Sequence, residues 1–230
     1  MSDKISLWIR LIGIVVNIIP FIQPIAIAKT PITIDRANRS ISISKTVKLD
    51  RQSWQVTTIA QNNAPKTVDY IASARQKYEK QNYQGALADY DRAISIDPKL
   101  ATAYNNRGFV KASKLNDYRG GLADMNSAIQ IDPNFANAYM NRGGLKAQVL
   151  HDVRGGLADY NRAIQLDPNY ALAYGNRGML KYNLLNDRSD GIADLQQAIK
   201  LFQQQRDTKN ARVAIELLKE WQRTNKNSGS

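Results

Sequence analysis

The hydrophobic and polar positions of this chain recur with a period of 35 residues. AYNNRG at 103–108 returns as AYMNRG at 138–143 and AYGNRG at 173–178. A second series, of which ADYDRAISIDP at 88–98 is the first member, ends at Pro98, Pro133 and Pro168. A fixed period of this length indicates stacked supersecondary units rather than one globular core.

Each period predicts two antiparallel helices, a helix A followed by a helix B. In the second unit they are expected at about Ala101–Lys114 and Tyr118–Ile131, joined by the turn and N-cap signal Asn116-Asp117. His151-Asp152 and Asn186-Asp187 repeat that signal, so His151 is interpreted as a turn residue. An Asp-Pro step ends helix B, because the residue before proline disfavours the helical conformation. The predicted fold class is therefore all-α, an α-solenoid.

The solenoid is expected to contain about four units and a C-terminal cap. The predicted units span 67–100, 101–135, 136–170 and 171–205. Gln203 stands where the fourth proline would fall, so that helix B is expected to run on. A capping helix within 206–224, from about Thr208 to Arg223, then offers apolar residues to cover the last open face; these are Val213, Ile215, Leu217, Leu218 and Trp221. Residues 225–230 are expected to be a disordered tail.

The repeated small and charged residues predict how the helices pack. Glycine inside helix A, at Gly108, Gly143 and Gly178, costs about 1 kcal/mol against alanine and so indicates close helix approach. The expected small partners in helix B are Ala93, Ala128, Ala163 and Ala198. The charged series are Arg107, Arg142 and Arg177 with Asp89, Asp124, Asp159 and Asp194, interpreted as structural pairs between helices A and B. Pairing with the next unit's Arg would leave Asp194 free, whereas pairing within a unit would leave Asp89 free.

The pattern over 67–203 resembles the tetratricopeptide repeat. An aromatic residue stands early in helix A, at Tyr104, Tyr139 and Tyr174, with glycine four residues on, small and aromatic positions in helix B, and then proline. The resemblance implies that helix A lines a concave groove. In some members, such as the O-linked N-acetylglucosamine transferase superhelix, an asparagine ladder there grips a peptide backbone, and Asn106, Asn141 and Asn176 look like the matching positions. Further groove contacts are expected from Arg75, Asn105, Phe109, Met140, Met179 and Tyr182. The lysines of the family's chaperone-tail clamp are missing.

Residues 1–28 have the anatomy of a signal peptide. Lys4 and Arg10 give a basic start, 11–22 is a short apolar core, and Ala26-Ile27-Ala28 offers the small residues that a signal peptidase requires. A retained membrane anchor is the alternative, although Asn17 and Pro20 interrupt the core. Residues 29–66 are expected to form a flexible basic linker. The sequence Asn-Arg-Gly in helix A, as at 106–108, resembles repeats of exported cyanobacterial and related bacterial proteins. This resemblance implies that the protein is located in the periplasm or the thylakoid lumen.

Composition narrows the classes of function. The chain has no cysteine, a single histidine and a net charge of +12, which excludes disulfides and thiolate zinc sites. It has no phosphate loop and no nucleophile–base constellation, so we expect no enzyme, no cofactor and no metal. The leading hypothesis is a scaffold or assembly factor that binds a peptide or protein in its groove. The alternative is a basic protein that binds nucleic acid or a membrane surface. Export makes nucleic acid the weaker partner, and membrane association could run through 5–28. The sequence does not indicate an oligomeric state.

Overall fold

A computed structural model describes residues 66–227. The predicted leader and nearly all of the predicted linker lie outside this range. The described residues form nine helices and no strand. The helices are α1 (66–79), α2 (Tyr83–Ile96), α3 (Ala101–Lys114), α4 (Tyr118–Ile131), α5 (Ala136–Gln148), α6 (Val153–Leu166), α7 (Ala171–Leu184), α8 (Arg188–Gln204) and α9 (Thr208–Asn227).

The helices pack in sequential pairs, which confirms the all-α solenoid. Helices A are α1, α3, α5 and α7, and helices B are α2, α4, α6 and α8. Each of α3, α5 and α7 packs most extensively on the helix B that follows it and also contacts the helix B before it. Helices A of successive units touch as well, α3 with α5 and α5 with α7. Each unit thus buries its apolar face against its neighbours, as stacked repeats do.

The turns between helices A and B follow the predicted signal. Asn116, His151 and Asn186 adopt left-handed backbone conformations, with φ of 57°, 55° and 53°. Asparagine accepts this conformation more readily than most residues. The aspartate that follows each of them caps helix B; Asp117, for example, accepts a hydrogen bond from the Gly120 amide. The prediction that His151 is a turn residue is confirmed.

Proline determines where helices B stop. Asp97, Asp132 and Asp167, each directly before a proline, have extended backbone conformations with φ between −130° and −134°. The observed bounds of α3 and α4 equal the predicted ones. Since no proline follows, α8 runs on to Gln204, as expected.

The glycines of helix A lie against glycines of helix B, and not against the alanines that the sequence suggested. A Cβ added at Gly178 would lie 2.8 Å from the carbonyl oxygen of Gly191, and one added at Gly191 would meet Gly178 in the same way. Gly108 with Gly121, and Gly143 with Gly156, repeat this contact. Ala198 instead lies opposite Gly175, where an added Cβ would have 3.7 Å of room. The backbones of helices A and B therefore touch at one point in each of the second, third and fourth units.

Two substitutions on α7 are expected to have opposite effects on stability. Gly178→Ala forces a methyl group onto the Gly191 carbonyl, and we expect it to lower the free energy of unfolding by about 1–3 kcal/mol. Gly175→Ala meets only ordinary van der Waals distances, so the gain in helix propensity should raise stability by about 0.5–1 kcal/mol. Chemical denaturation of both variants provides the comparison. Destabilisation of equal size by both would contradict the close-contact account.

The last helix closes the open end of the stack. Along α9, Ala211, Ala214, Leu217 and Trp221 are buried, while Val213, Ile215 and Leu218 are partly buried. The Trp221 ring stacks on Tyr182 of α7 with 3.9 Å between ring centroids and 3° between ring planes. The helix continues to Asn227, beyond the predicted end at Arg223, because no proline or glycine interrupts it before Gly229. The predicted disordered tail therefore begins as helix.

Candidate functional site

The repeated arginines pair with aspartates of their own units. Arg142 donates from Nε to Asp159 Oδ2 at 2.9 Å and from Nη2 to Asp159 Oδ1 at 2.6 Å. Arg107 with Asp124, and Arg177 with Asp194, have the same two-pronged geometry. These hydrogen bonds, first of all those to Asp124, raise the pKa of Arg107 above its ordinary value. Of the two arrangements left open by the sequence, the structure has pairing within a unit.

Asp194 is therefore paired, and Asp89 does not bind an arginine of the repeated series. The Asp89 side chain receives Lys77 Nζ and Ser73 Oγ, each at 2.6 Å, and Arg92 Nη1 at 3.0 Å. Burial raises the pKa of Asp89, but the hydrogen bonds from Lys77 and Ser73 outweigh it and hold the pKa below the ordinary value. Ser73 stands three residues after Tyr70, where later units have arginine. The first unit thus satisfies its buried carboxylate with a different set of donors.

Each arginine also reaches back to the preceding unit, which the sequence did not suggest. Arg142 Nη1 donates to Asn126 of α4 at 2.8 Å, and Arg107 Nη1 donates to Asp91 of α2 at 2.6 Å. Arg177 contacts Asn161 of α6 in the same way. The guanidinium groups also lie over the tyrosine rings three residues earlier, 5.4 Å from each centroid. In each of the second, third and fourth units, one arginine therefore joins three helices, and these contacts occupy its guanidinium group.

The asparagines of helices A form hydrogen bonds between successive units. Asn141 Nδ2 donates to Asn105 Oδ1 at 3.0 Å, and Asn105 Nδ2 donates to Asn106 Oδ1 at 3.2 Å. Asn176 Nδ2 approaches the sulfur of Met140 at 3.6 Å. We call the surface that follows helices A the A-helix face, defined by Arg75, Asn106, Phe109, Asn141, Asn176 and Met179.

Asn105 and Met140 lie beneath this surface and do not belong to it. These two residues are 1 % and 2 % exposed, and Asn106, which is 5 % exposed, is nearly as buried and reaches the A-helix face only at its edge. Asn105 and Met140 occupy the same position in their units, and Gly175 occupies that position in the fourth unit. Gly175 lies opposite Ala198 of helix B, so this position faces helix B. The expectation that they contact a ligand is therefore corrected. Asn105 accepts a hydrogen bond from Asn141, and Met140 accepts one from Asn176, so both residues help to orient the asparagine side chains of the next unit.

Two amide atoms on the A-helix face are buried and complete no hydrogen bond with any of residues 66–227. They are Asn106 Nδ2 and Asn141 Oδ1. Buried amide atoms are nearly always paired, and an unpaired one costs about 1–3 kcal/mol. Asn106 Nδ2 is a donor and Asn141 Oδ1 is an acceptor, so together they can pair with the C=O and the N–H of a peptide backbone.

Of the remaining residues predicted to contact a ligand, some lie on the A-helix face and one packs mainly against the capping helix α9. Phe109 and Met179 are half-buried, and Phe109 packs beside Tyr78 with 6.1 Å between ring centroids. Burial raises the pKa of Tyr78 to about 12. Tyr182 belongs mainly to the cap, because its ring stacks on Trp221. Arg75 is half-buried, and its Nε is buried without a partner.

Two other kinds of site are absent from the part of the chain that the structure describes. No group of three or more His, Cys, Asp or Glu side chains there is arranged to hold a metal ion. None of the helices within 66–227 is long and apolar enough to cross a bilayer.

Comparison with known proteins identifies the repeat. A family model described as a TPR repeat matches residues 74–114. The crystal structure of MamA protein is similar at a TM-score of 0.52 and 19% identity, over 68% of this chain and 82% of that one. A mutant O-GlcNAc transferase of Thermobaculum terrenum is similar at a TM-score of 0.55 and 17% identity, over 62% of this chain and 26% of that one. These structures establish the fold alone. No curated protein matches the sequence.

Proposed function

Since this chain is a tetratricopeptide-repeat protein, we propose that it is a non-enzymatic binding module that holds an extended peptide or protein segment on its A-helix face. The proposal rests on one observation above all, the unpartnered amide atoms of Asn106 and Asn141. A peptide backbone offers an N–H and a C=O along every extended residue. It can therefore satisfy both atoms, whatever its own side chains are, once the two buried asparagine side chains rotate toward the groove.

The strength of this recognition is limited. Each asparagine–peptide hydrogen bond contributes about 1 kcal/mol net, so the two amides together supply about 2 kcal/mol. Millimolar binding already requires about 4 kcal/mol. The remainder must come from side-chain contacts, for which Phe109 and Met179 on the same face offer apolar surface. Specificity therefore lies in the ligand's side chains, and the amides fix its path.

The cellular role that fits best is a scaffold or assembly factor outside the cytoplasm. Its support is the sequence of residues 1–28, with a basic start, an apolar core and an Ala-x-Ala end. We place the protein in the periplasm or the thylakoid lumen on the resemblance of its repeats to those of exported bacterial proteins. A retained anchor in the same residues would hold the repeats at a membrane.

The double variant Asn106→Ala/Asn141→Ala is expected to bind peptide about 30-fold more weakly, which corresponds to two lost hydrogen bonds of about 1 kcal/mol each. The probe is the tightest ligand from an array of random decapeptides, and its Kd is measured by fluorescence polarisation. Gln130→Ala/Gln196→Ala is the matched control, because it removes two exposed amides from helices B and should bind like the natural protein. Melting temperatures of both variants show whether they are folded.

Two results would refute the proposed function. One is an array on which no peptide binds the protein. The other is a folded asparagine variant that binds the peptide as tightly as the glutamine control does.

A further inference from the structure

The A-helix face has a gap in its third unit. Phe109, Gly144 and Met179 are 35 residues apart, so they occupy the same position in successive helices A. Those helices touch in order, α3 with α5 and α5 with α7. Phe109 and Met179 are half-buried there, whereas Gly144 has no side chain, so the row of apolar side chains is interrupted between them. We call this gap the Gly144 notch, defined by Phe109, Gly144, Tyr160 and Met179.

Packing within the third unit does not require a glycine at position 144. A Cβ added there would meet one atom of another helix within 4 Å, the Tyr160 hydroxyl oxygen at 3.4 Å, which is an ordinary van der Waals distance. At neighbouring Gly143, an added Cβ would lie 3.1 Å from three atoms of α6, one of them a backbone carbonyl oxygen. Glycine also costs helix stability relative to alanine. The contact between helices therefore explains Gly143 but not Gly144.

The floor of the Gly144 notch is a tyrosine hydroxyl. Tyr160 of α6 is 1 % exposed, and its hydroxyl forms no hydrogen bond with any of residues 66–227. Burial raises the pKa of Tyr160 above its ordinary value, so the hydroxyl is neutral and can both donate and accept a hydrogen bond. The corresponding residues of the second and fourth units are Met125 and Leu195, which carry no such group. In the third unit, a polar group thus faces an opening on the A-helix face.

We propose that the Gly144 notch is a specificity pocket for one aromatic side chain of the ligand, a tyrosine or a tryptophan whose polar tip can form a hydrogen bond. The ring lies between Phe109 and Met179, because aromatic rings are attracted both to one another and to thioether sulfur. The polar tip of the side chain pairs with the Tyr160 hydroxyl. This inference rests on the proposed peptide-binding function and deepens it, since it names the ligand side chain on which specificity depends.

Other classes of side chain fit the Gly144 notch less well. An aliphatic side chain would fill the gap between Phe109 and Met179, but it would leave the Tyr160 hydroxyl buried without a partner, which carries a desolvation penalty. A charged side chain would lose its hydration between two apolar side chains. A tyrosine or tryptophan side chain combines an apolar body with one neutral polar atom, and so it matches both the walls and the floor of the notch.

N-acetyltyrosinamide is the probe that tests the notch without a peptide. In NMR of the full chain with labelled methionine methyl groups, we expect the Met179 methyl signal to shift saturably as this probe is added, and N-acetylalaninamide should leave the signal in place. Gly144→Met copies the fourth-unit residue into the third unit and fills the notch, so it should weaken binding of the tyrosine probe about tenfold or more. Gly144→Ala is the matched control, because its Cβ fits at 3.4 Å from the Tyr160 hydroxyl and leaves most of the notch open.

A double-mutant cycle tests the hydrogen bond at the floor of the notch. N-acetylphenylalaninamide lacks the polar tip, so it should bind the natural protein about fivefold more weakly than N-acetyltyrosinamide, which corresponds to the loss of one hydrogen bond. The Tyr160→Phe variant should bind the two probes equally. Its melting temperature should not fall, because the hydroxyl has no hydrogen bond within residues 66–227 to lose.

The inference is overturned if the tyrosine and alanine probes shift the Met179 signal alike, if the folded Gly144→Met variant binds N-acetyltyrosinamide undiminished, or if Tyr160→Phe still prefers it over the phenylalanine probe. Methionine favours the helix more than glycine does, so the melting temperature of Gly144→Met should equal or exceed that of the natural protein. Peptide binding that depends on Asn141 but on no aromatic residue of the peptide would refute the notch and leave the proposed function intact. A response to N-acetyltyrosinamide in a protein that binds no peptide would do the reverse.

Discussion

Arg142→Ala is expected to lower the free energy of unfolding by about 3 kcal/mol. The substitution removes both bonds to Asp159, the bond to Asn126 of the preceding unit, and the stacking on Tyr139. Asp159 is 4 % exposed, and breaking a buried pair leaves an uncompensated charge at a cost of about 3–5 kcal/mol. We expect the lower end of that range because Lys146 Nζ remains 2.9 Å from Asp159 Oδ2.

Arg154→Ala is the control for this variant. Arg154 is an exposed arginine on the neighbouring helix, and surface substitutions of this kind usually stay within about 0.5 kcal/mol. Urea denaturation of both proteins measures the difference. A variant at Arg142 that is as stable as the natural protein but no longer binds peptide would contradict the structural role and assign this arginine to the ligand.

Trp221→Ala is expected to cost about 3–5 kcal/mol, the range for truncation of a large buried aromatic side chain. Its ring is 4 % exposed and stacks on Tyr182. Truncation would uncover the apolar surface against which the Trp221 ring packs, including the face of the Tyr182 ring. We therefore expect a lower melting temperature together with a greater tendency to aggregate, as for a solenoid that has lost its cap.

Gln222→Ala tests whether the effect belongs to the buried side of α9. Gln222 is the next residue and is exposed, so its truncation should leave the melting temperature nearly unchanged. Equal melting temperatures for the two variants would show that α9 contributes nothing to the stack.

The sequence predicts the helices closely because their boundaries depend on local signals. Asp117 caps α4 through its own side chain, and Pro133 ends it by local sterics. The sequence does not decide which aspartate pairs with Arg107, because a strict repeat places one aspartate before this arginine and another after it. In the structure, the Arg107 guanidinium group donates hydrogen bonds both to Asp124 of the same unit and to Asp91 of the preceding unit. The contact with Asp91 depends on the offset between stacked units, which no single repeat reveals.

The candidate site was only partly visible in the sequence for the same reason. The asparagines at 106, 141 and 176 are recognisable because asparagine is a poor residue for the interior of a helix. Whether Asn105 lies on the surface or beneath it depends on how helix A rotates against helix B, and that rotation is set by the contact between Gly108 and Gly121.

The central claim is that amides of the A-helix face hold a ligand's backbone. The most direct test is a double-mutant cycle between Asn141→Ala and N-methylation of the peptide, with one amide of the tightest array ligand methylated at a time. Asn141 Oδ1 is a free acceptor, so one peptide N–H should couple to it by about 1 kcal/mol. At that position methylation should weaken binding to the natural protein about fivefold and leave binding to the Asn141→Ala variant unchanged. Coupling near zero at every position would contradict the account.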